Sequence, residues 1–319
     1  MAAPKPIHAY DVSEAGAAKA VTDLDTSPPA GGYRWVHLDL SDPNAFAWIS
    51  EQADPVVADA LMRADTRPRM AEHADGLILI MRGVNLNPNS DPEDMVSLRL
   101  WVTDRLVITT RLRRLMAVSE MAEQMARGSA PATPADLVCA LSQGLTARME
   151  PVLEALVDEI DDLEERSVDR ASRLRGELAE IRRTTITLRR YLTPQRDIMA
   201  RLSLEDAGPL HHPRVRVTLR ETADRLARLV EELDMIRERS SILNDQMVDA
   251  RAEEMNAAML LLSVVAAVFL PLGFLTGLLG INVGGLPGAH WPYAFALVCA
   301  SCLGLAGGLV WWFRRKGWL

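Results

Sequence analysis

Residues 257–279 read AAMLLLSVVAAVFLPLGFLTGLL, 23 positions without one charge. About 20 apolar residues in a helix cross the hydrocarbon core of a bilayer, so this stretch predicts a membrane span. The charge-free region runs further, from Ala258 to Phe313. It holds a second apolar stretch, 292–313, and a Gly-rich link, 280–291 (GINVGGLPGAHW), too short to be a domain. Two spans put both termini on one side. Arg314, Arg315 and Lys316 follow the second span and place that side in the cytoplasm by the positive-inside rule. Four of the seven tryptophans, Trp291, Trp311, Trp312 and Trp318, fall at span ends, as an interfacial aromatic belt requires.

Upstream, Arg214 to Leu270 contains neither Gly nor Pro. A continuous helix of that length measures ~85 Å at 1.5 Å per residue, far more than the ~30 Å bilayer core. The first span is therefore expected to continue a stalk helix, 213–256. Leu226, Leu229, Leu233, Ile236, Leu243 and Met247 form its core-facing stripe.

Before the stalk, residues 131–212 predict a helical hairpin. Its two amphipathic arms are 135–168 and 170–202, ending at Gly208–Pro213. Residues 1–130 read as an α/β domain. Strands are expected at 33–40, 77–85, 95–103 and 105–110, short helices after Pro43 and Pro55, and a helix at 115–127. Residues 1–32 promise only a loose entry segment and one short strand. They hold no apolar run of the kind a signal peptide needs.

Overall net charge is -8, and all 43 acidic residues precede the spans, against 32 of the 35 basic ones. That balance argues against nucleic acid, whose phosphates need a basic surface, and suits cations. Three cysteines, Cys139, Cys299 and Cys302, make no disulfide framework. No P-loop, dinucleotide fingerprint or nucleophile–base arrangement is present, so neither an enzyme nor a bound cofactor is expected.

Steps of three and four from Asp245 give Asp249, Ala252, Asn256, Met259, Ser263, Ala266, Leu270, Gly273 and Gly277. One helix face thus begins with carboxylates, passes an amide and a hydroxyl, and ends small or apolar. Polar groups at membrane depth are costly unless they face protein or water. A parallel bundle of several copies would turn this face into a pore, and one subunit cannot enclose one. A symmetric homo-oligomer is implied. The rival reading is a packing face of small residues, for which Gly273-xxx-Gly277 alone would suffice.

Gly280-Ile281-Asn282 resembles the Gly-Met-Asn signature of the CorA family of magnesium transporters. Leu270-Pro271-Leu272-Gly273-Phe274 and the ending Arg314-Arg315-Lys316-Gly317-Trp318-Leu319 are similar to that family as well. Ile281 departs from the signature. With Val283-Gly284-Gly285-Leu286-Pro287-Gly288, Arg67-Pro68-Arg69-Met70 and Arg82-Gly83-Val84-Asn85-Leu86-Asn87, it resembles the zinc-transporting ZntB branch.

The resemblance implies a homopentameric funnel in the bacterial inner membrane that moves divalent cations, zinc first, with cobalt, nickel or cadmium as further cargo, by proton-coupled uptake or, alternatively, by export. Gly280, Ile281 and Asn282 would form the outer mouth. Asn256, Met259, Ser263, Ala266, Leu270, Gly273 and Gly277 would line the pore, with Asp245 and Asp249 at the inner mouth. His290 is a lone candidate metal ligand in the outer loop. A magnesium or cobalt transporter is the alternative within the family, and a membrane-anchored metal sensor the alternative outside it. A tether has no use for Asn256, Ser263 and Gly280-Ile281-Asn282.

Overall fold

The computed structural model describes residues 3–64, 66–170, 174–204, 208–210, 212–281 and 291–317. They fall into two compact units, one of residues 1–169 and 174–243, the other of residues 170–173 and 244–319.

The first unit is built on a seven-stranded sheet: β1 (His8–Val12), β2 (Ala18–Ala20), β3 (Tyr33–Asp39), β4 (Arg69–His73), β5 (Gly76–Gly83), β6 (Val96–Val102) and β7 (Leu106–Arg111), in the order β2-β1-β3-β7-β6-β5-β4. Only β3 and β7 pair in parallel. The helical pair α1 (Ala45–Gln52) and α2 (Pro55–Met62) lies in the chain between β3 and β4. Asp54 caps α2, its Oδ1 accepting from the amides of Val56 (2.7 Å) and Val57 (3.0 Å), and Pro55 at the first helical position gives up no needed donor.

β5 and β6 are buried at every position. Such strands read as near-continuous apolar runs because both sheet faces are covered. One face packs Val36, Ile78, Trp101 and Ile108 against Trp48, Ile49, Val57 and Leu61 of α1 and α2. Gly76 is required by that packing, because a Cβ there would sit 2.4 Å from the Trp101 ring. On the other side lie α3 (Met116–Ala126) and α4 (Pro134–Ala147). Ser142 of α4 meets Met81, and a Cβ at Gly83 would strike Leu145 at 2.6 Å.

α5 (Glu150–Arg170), α6 (Arg175–Leu204) and the first part of α7 (Pro213–Leu279) complete the soluble part. They are cross-tied by ion pairs: Arg225 with Glu150 (2.7 Å), Arg189 with Asp234 (2.7 Å), and Arg239 with Glu164 (2.7 Å) and Asp161. Leu226, Leu229, Leu233, Ile236, Leu243 and Met247 are all buried, the stripe that the sequence predicts.

Some expectations need correction. The segment 135–168 is two helices, α4 and α5, separated at Arg148–Met149. The entry segment holds two strands, β1 and β2, and β4 has no counterpart among the expected strands. Its residues Arg69–His73 are exposed or half-buried, so an edge strand of this kind carries no apolar alternation to read.

In the second unit, α7 continues to Leu279 through Pro271, and α8 runs Ala294–Arg315. Both are long and apolar enough to cross a membrane, with mean hydropathy of 2.5 and 2.0 over their most apolar windows.

Candidate pore helix and outer mouth

From Arg251 to Ser263 every side chain of α7 is exposed. Beyond that, Val264 is buried, and Val268, Pro271, Leu272 and Leu275 are half-buried. These positions repeat at three and four residues, so they share one face. α8 shows a matching pattern, half-buried at Val298, Cys302, Leu305, Ala306, Leu309 and Val310 and buried at Phe313. Within this unit each helix therefore has one covered stripe.

Asn256, Met259, Ser263, Ala266, Leu270, Gly273 and Gly277 are all exposed, Leu270 at 78%. At ~100° per residue their stripe lies about 160° around the helix from the covered one. The candidate pore face is thus nearly opposite the face that the chain covers by itself. No Cβ built at Gly273 or Gly277 would meet anything within 4 Å. Asp245 and Asp249, earlier on the same stripe, are exposed too, next to buried Leu243 and Met247.

The hydroxyl of Ser263 donates to the Met259 carbonyl (2.8 Å). Its proton is used within the helix, and the oxygen lone pairs remain to face water or a cation. Pro271 has no N–H to give the Ala267 carbonyl, which leaves that oxygen needing another partner at membrane depth. Gly280 ends the helix, its amide donating to the carbonyls of Thr276 (2.9 Å) and Gly277 (3.2 Å). Ile281 follows, 47% exposed. Asn282 and His290 lie outside the described residues. At the other end of α8, the Arg315 guanidinium stands 5.4 Å from the Trp311 ring centroid, a basic–aromatic pair suited to a headgroup layer. Among the described residues no group of three or more His, Cys, Asp or Glu side chains is arranged to hold a metal ion.

The model of the CorA-like Mg2+ transporter protein family matches residues 30–315. This chain belongs to the CorA family. Its relatives in that family include the zinc transport protein ZntB of Pectobacterium carotovorum, 35% identical over 98% of this chain and 96% of the relative. The divalent cation transporter CmaX of Pseudomonas aeruginosa is 40% identical over 89% of this chain and 87% of its own length. The solved structure of full-length CmaX superposes with a TM-score of 0.84, covering 99% of this chain and 98% of that one at 37% identity. The protein is therefore a membrane protein and a divalent cation transporter of the CorA family, and its relatives are transporters rather than enzymes.

Sequence reading overlooked two groups in the soluble unit. Arg82 and Arg99 sit inside the strand runs LILIMRG and VSLRLWV, and arginine within such a run was the available signal. His37 is wholly buried within YRWVHLD, where it reads as one more strand residue.

Proposed function

We propose that this chain forms a homopentameric zinc pathway in the bacterial inner membrane, with both termini in the cytoplasm. The observation that carries the reading is the stripe from Asn256 to Gly277, fully exposed in one chain and opposite the face covered there. Five copies around an axis would bury it against a water-filled path, which satisfies Asn256 and the lone pairs of Ser263. Gly280, Ile281 and Asn282 would form the outer mouth, where an amide and backbone carbonyls meet a hydrated ion. Ala266, Leu270, Gly273 and Gly277 would be the narrow apolar levels, and Asp245 and Asp249 would concentrate cations at the inner mouth. Zinc as cargo is favoured by the ZntB relative. The charge-free stretch from Ala258 to Phe313 favours it as well, since it offers no carboxylate to strip water from magnesium. His290 is a further single ligand for zinc in the outer loop, and coupling to protons belongs to the same reading.

The experiment is metal uptake into liposomes holding the purified protein, with zinc, magnesium, cobalt, nickel and cadmium each alone and in competition, with and without a pH gradient. Zinc flux that magnesium competes poorly against is expected. Micromolar magnesium uptake that zinc does not inhibit would place the chain with the magnesium transporters of its family. Absence of flux for every metal would favour a tethered sensor.

A further inference from the structure

Arg82 on β5 and Arg99 on β6 lie on the same sheet face, in register with Ser97 and Ile80. Both are buried, at 8% and 1% exposure. Neither guanidinium is there by accident of packing, because each binds the segment that follows α2. Arg82 donates from Nε to the Thr66 carbonyl (3.1 Å), from Nη2 to the same oxygen, and from Nη1 to the Met95 carbonyl (2.6 Å). Arg99 donates from Nε to the Arg63 carbonyl (3.0 Å) and from Nη2 to the Ala64 carbonyl (2.8 Å). The Tyr191 ring of α6 lies 4.5 Å from the Arg82 guanidinium carbon, and Gln195 of α6 accepts the Arg82 amide (2.6 Å). Sheet and α6 are thus joined at Arg82, with Arg99 beside it on the same sheet face.

Both arginines line a cavity of about 390 Å³, with Ser97, Thr187 and Tyr191 on its wall and exposed Arg113 at its rim. Nη1 of Arg99 is buried and has no hydrogen-bond partner among the described residues. Two acids also line the cavity. Glu93 is turned to Arg183 (3.4 Å) and Thr184 (3.3 Å), and Asp94 is exposed. Carbonyl dipoles satisfy part of the guanidinium geometry of Arg99 but cancel none of its net charge, and an uncompensated buried charge is expensive. Burial, and then the neighbouring charge of Arg82, push the Arg99 pKa down to about 10, so the group stays cationic at neutral pH.

We propose that this cavity is an oxyanion site that takes one phosphate group, free or as a small monoester, on the exposed guanidinium of Arg113 at its rim, held there by the charge of the buried Arg99 and Arg82 beneath it, with Ser97 on its wall. Guanidinium forks match tetrahedral oxyanions, and a 390 Å³ space admits a phosphorylated metabolite but no polymer. The ligand would bridge β6 to α6 through the Thr187–Tyr191 wall and so stiffen the soluble unit.

The test uses the full-length protein in detergent and phosphate-free buffer, with inorganic phosphate and glycerol phosphate as separate probes. Calorimetric titration is expected to show saturable binding near one site per chain, and the melting temperature should rise with either probe. A stronger response to one of them tells free anion from ester. Arg99→Met should abolish the probe-dependent rise, and Arg113→Ala, at an exposed position that leaves folding intact, should weaken binding about tenfold. Wild-type protein with no saturable binding of either probe at 10 mM overturns the proposal. So does unchanged binding in Arg113→Ala together with an unchanged melting response in Arg99→Met. If Arg99→Met does not fold, Arg113→Ala alone decides between these outcomes.

Discussion

Residues 76–83 of β5 and residues 257–263 of α7 are both rich in Leu and Met, yet in the first segment every side chain is buried and in the second every one is exposed. The contrast repeats across the two units. Leu79, Leu98 and Leu100 are 0% exposed, while Leu270, Phe295 and Leu303 are 78%, 82% and 75% exposed. Apolar composition alone does not say what covers a residue. The sheet finds α1 to α4 within its own chain, whereas α7 and α8 cover only one stripe each and leave the rest of their apolar surface exposed. Exposed apolar area of that kind in water marks a membrane or assembly surface. The first unit buries its apolar strands within one chain, and the second does not so bury its apolar helices.

The largest break in this contrast would come from assembly. Native mass measured in detergent is expected to give five chains, because one subunit supplies a single stripe from Asn256 to Gly277 and that stripe is open. A monomer or dimer that still conducts metal would sink the shared-pore reading. Next comes Asn282→Ala, which should lower zinc flux in liposomes by tenfold or more while the soluble unit keeps its melting temperature, since the amide is assigned to the ion rather than to the fold. Normal uptake by an assembled variant would remove Asn282 from the outer mouth. A paired substitution then sharpens the comparison energetically. Leu100→Ala, in the sheet, should cost ~2–5 kcal/mol of stability, the range for a buried leucine whose cavity cannot collapse. Leu303→Ala, on the open face of α8, should change the stability of the soluble unit by less than about 0.5 kcal/mol. Comparable losses in denaturant or thermal unfolding would mean that the two units are not built as differently as their burial implies.

How much could be read in advance follows the same division. The spans were legible because a bilayer imposes a long charge-free run, and no other constraint produces 56 such residues from Ala258 to Phe313. β3, β5, β6 and β7 were legible because their apolar residues cluster in runs of strand length. β4 was not, since an exposed edge places no demand on the sequence of Arg69–His73. The break at Arg148–Met149 carries neither Gly nor Pro. There the Met149 amide bonds the Thr146 carbonyl (2.9 Å), and nothing in the local sequence announces that turn. Pro194 inside α6 and Pro271 inside α7 show the reverse, a breaker overruled by packing or by the membrane. The stripe from Asn256 to Gly277, here proposed to line a pore, was legible as a pattern, and the structure adds only that it is exposed and lies opposite the covered face. The buried arginines were visible as letters, but their burial depends on the register of β5 with β6, which is tertiary information.

The smallest expected effect concerns His37, a fully buried titratable group of the sheet. Its ring is 0% exposed, its Nδ1 stands 2.8 Å from the Thr109 hydroxyl, and that oxygen also accepts from Trp35 Nε1 (2.9 Å). Thr109 can in turn donate to the Val36 carbonyl (3.3 Å), so the network closes with the histidine proton on Nδ1. Nε2 is then a buried lone pair without a partner among the described residues. Burial first, then the positive charge of Arg111 and the neighbouring His8, hold the His37 pKa well below its ordinary 6.5. His8, stacked 6.0 Å away, is lowered too, by burial and by Arg111 and Arg114. With the folded pKa depressed, the unfolded chain binds the proton first as pH falls, so stability is complete above about 6.5 and is lost below it. Each proton contributes a slope of up to ~1.4 kcal/mol per pH unit. Thermal unfolding of the soluble unit, followed by tryptophan fluorescence between pH 7.5 and 5.5, should show a falling midpoint. The perturbed carboxylates Asp39, Asp54 and Glu177 have lowered pKa values and titrate below this window. His37→Gln keeps a side chain able to bond Thr109 and cannot charge, so its midpoint should fall less steeply, by the share of one proton. An identical slope in wild type and variant would show that His37 does not carry the acid sensitivity.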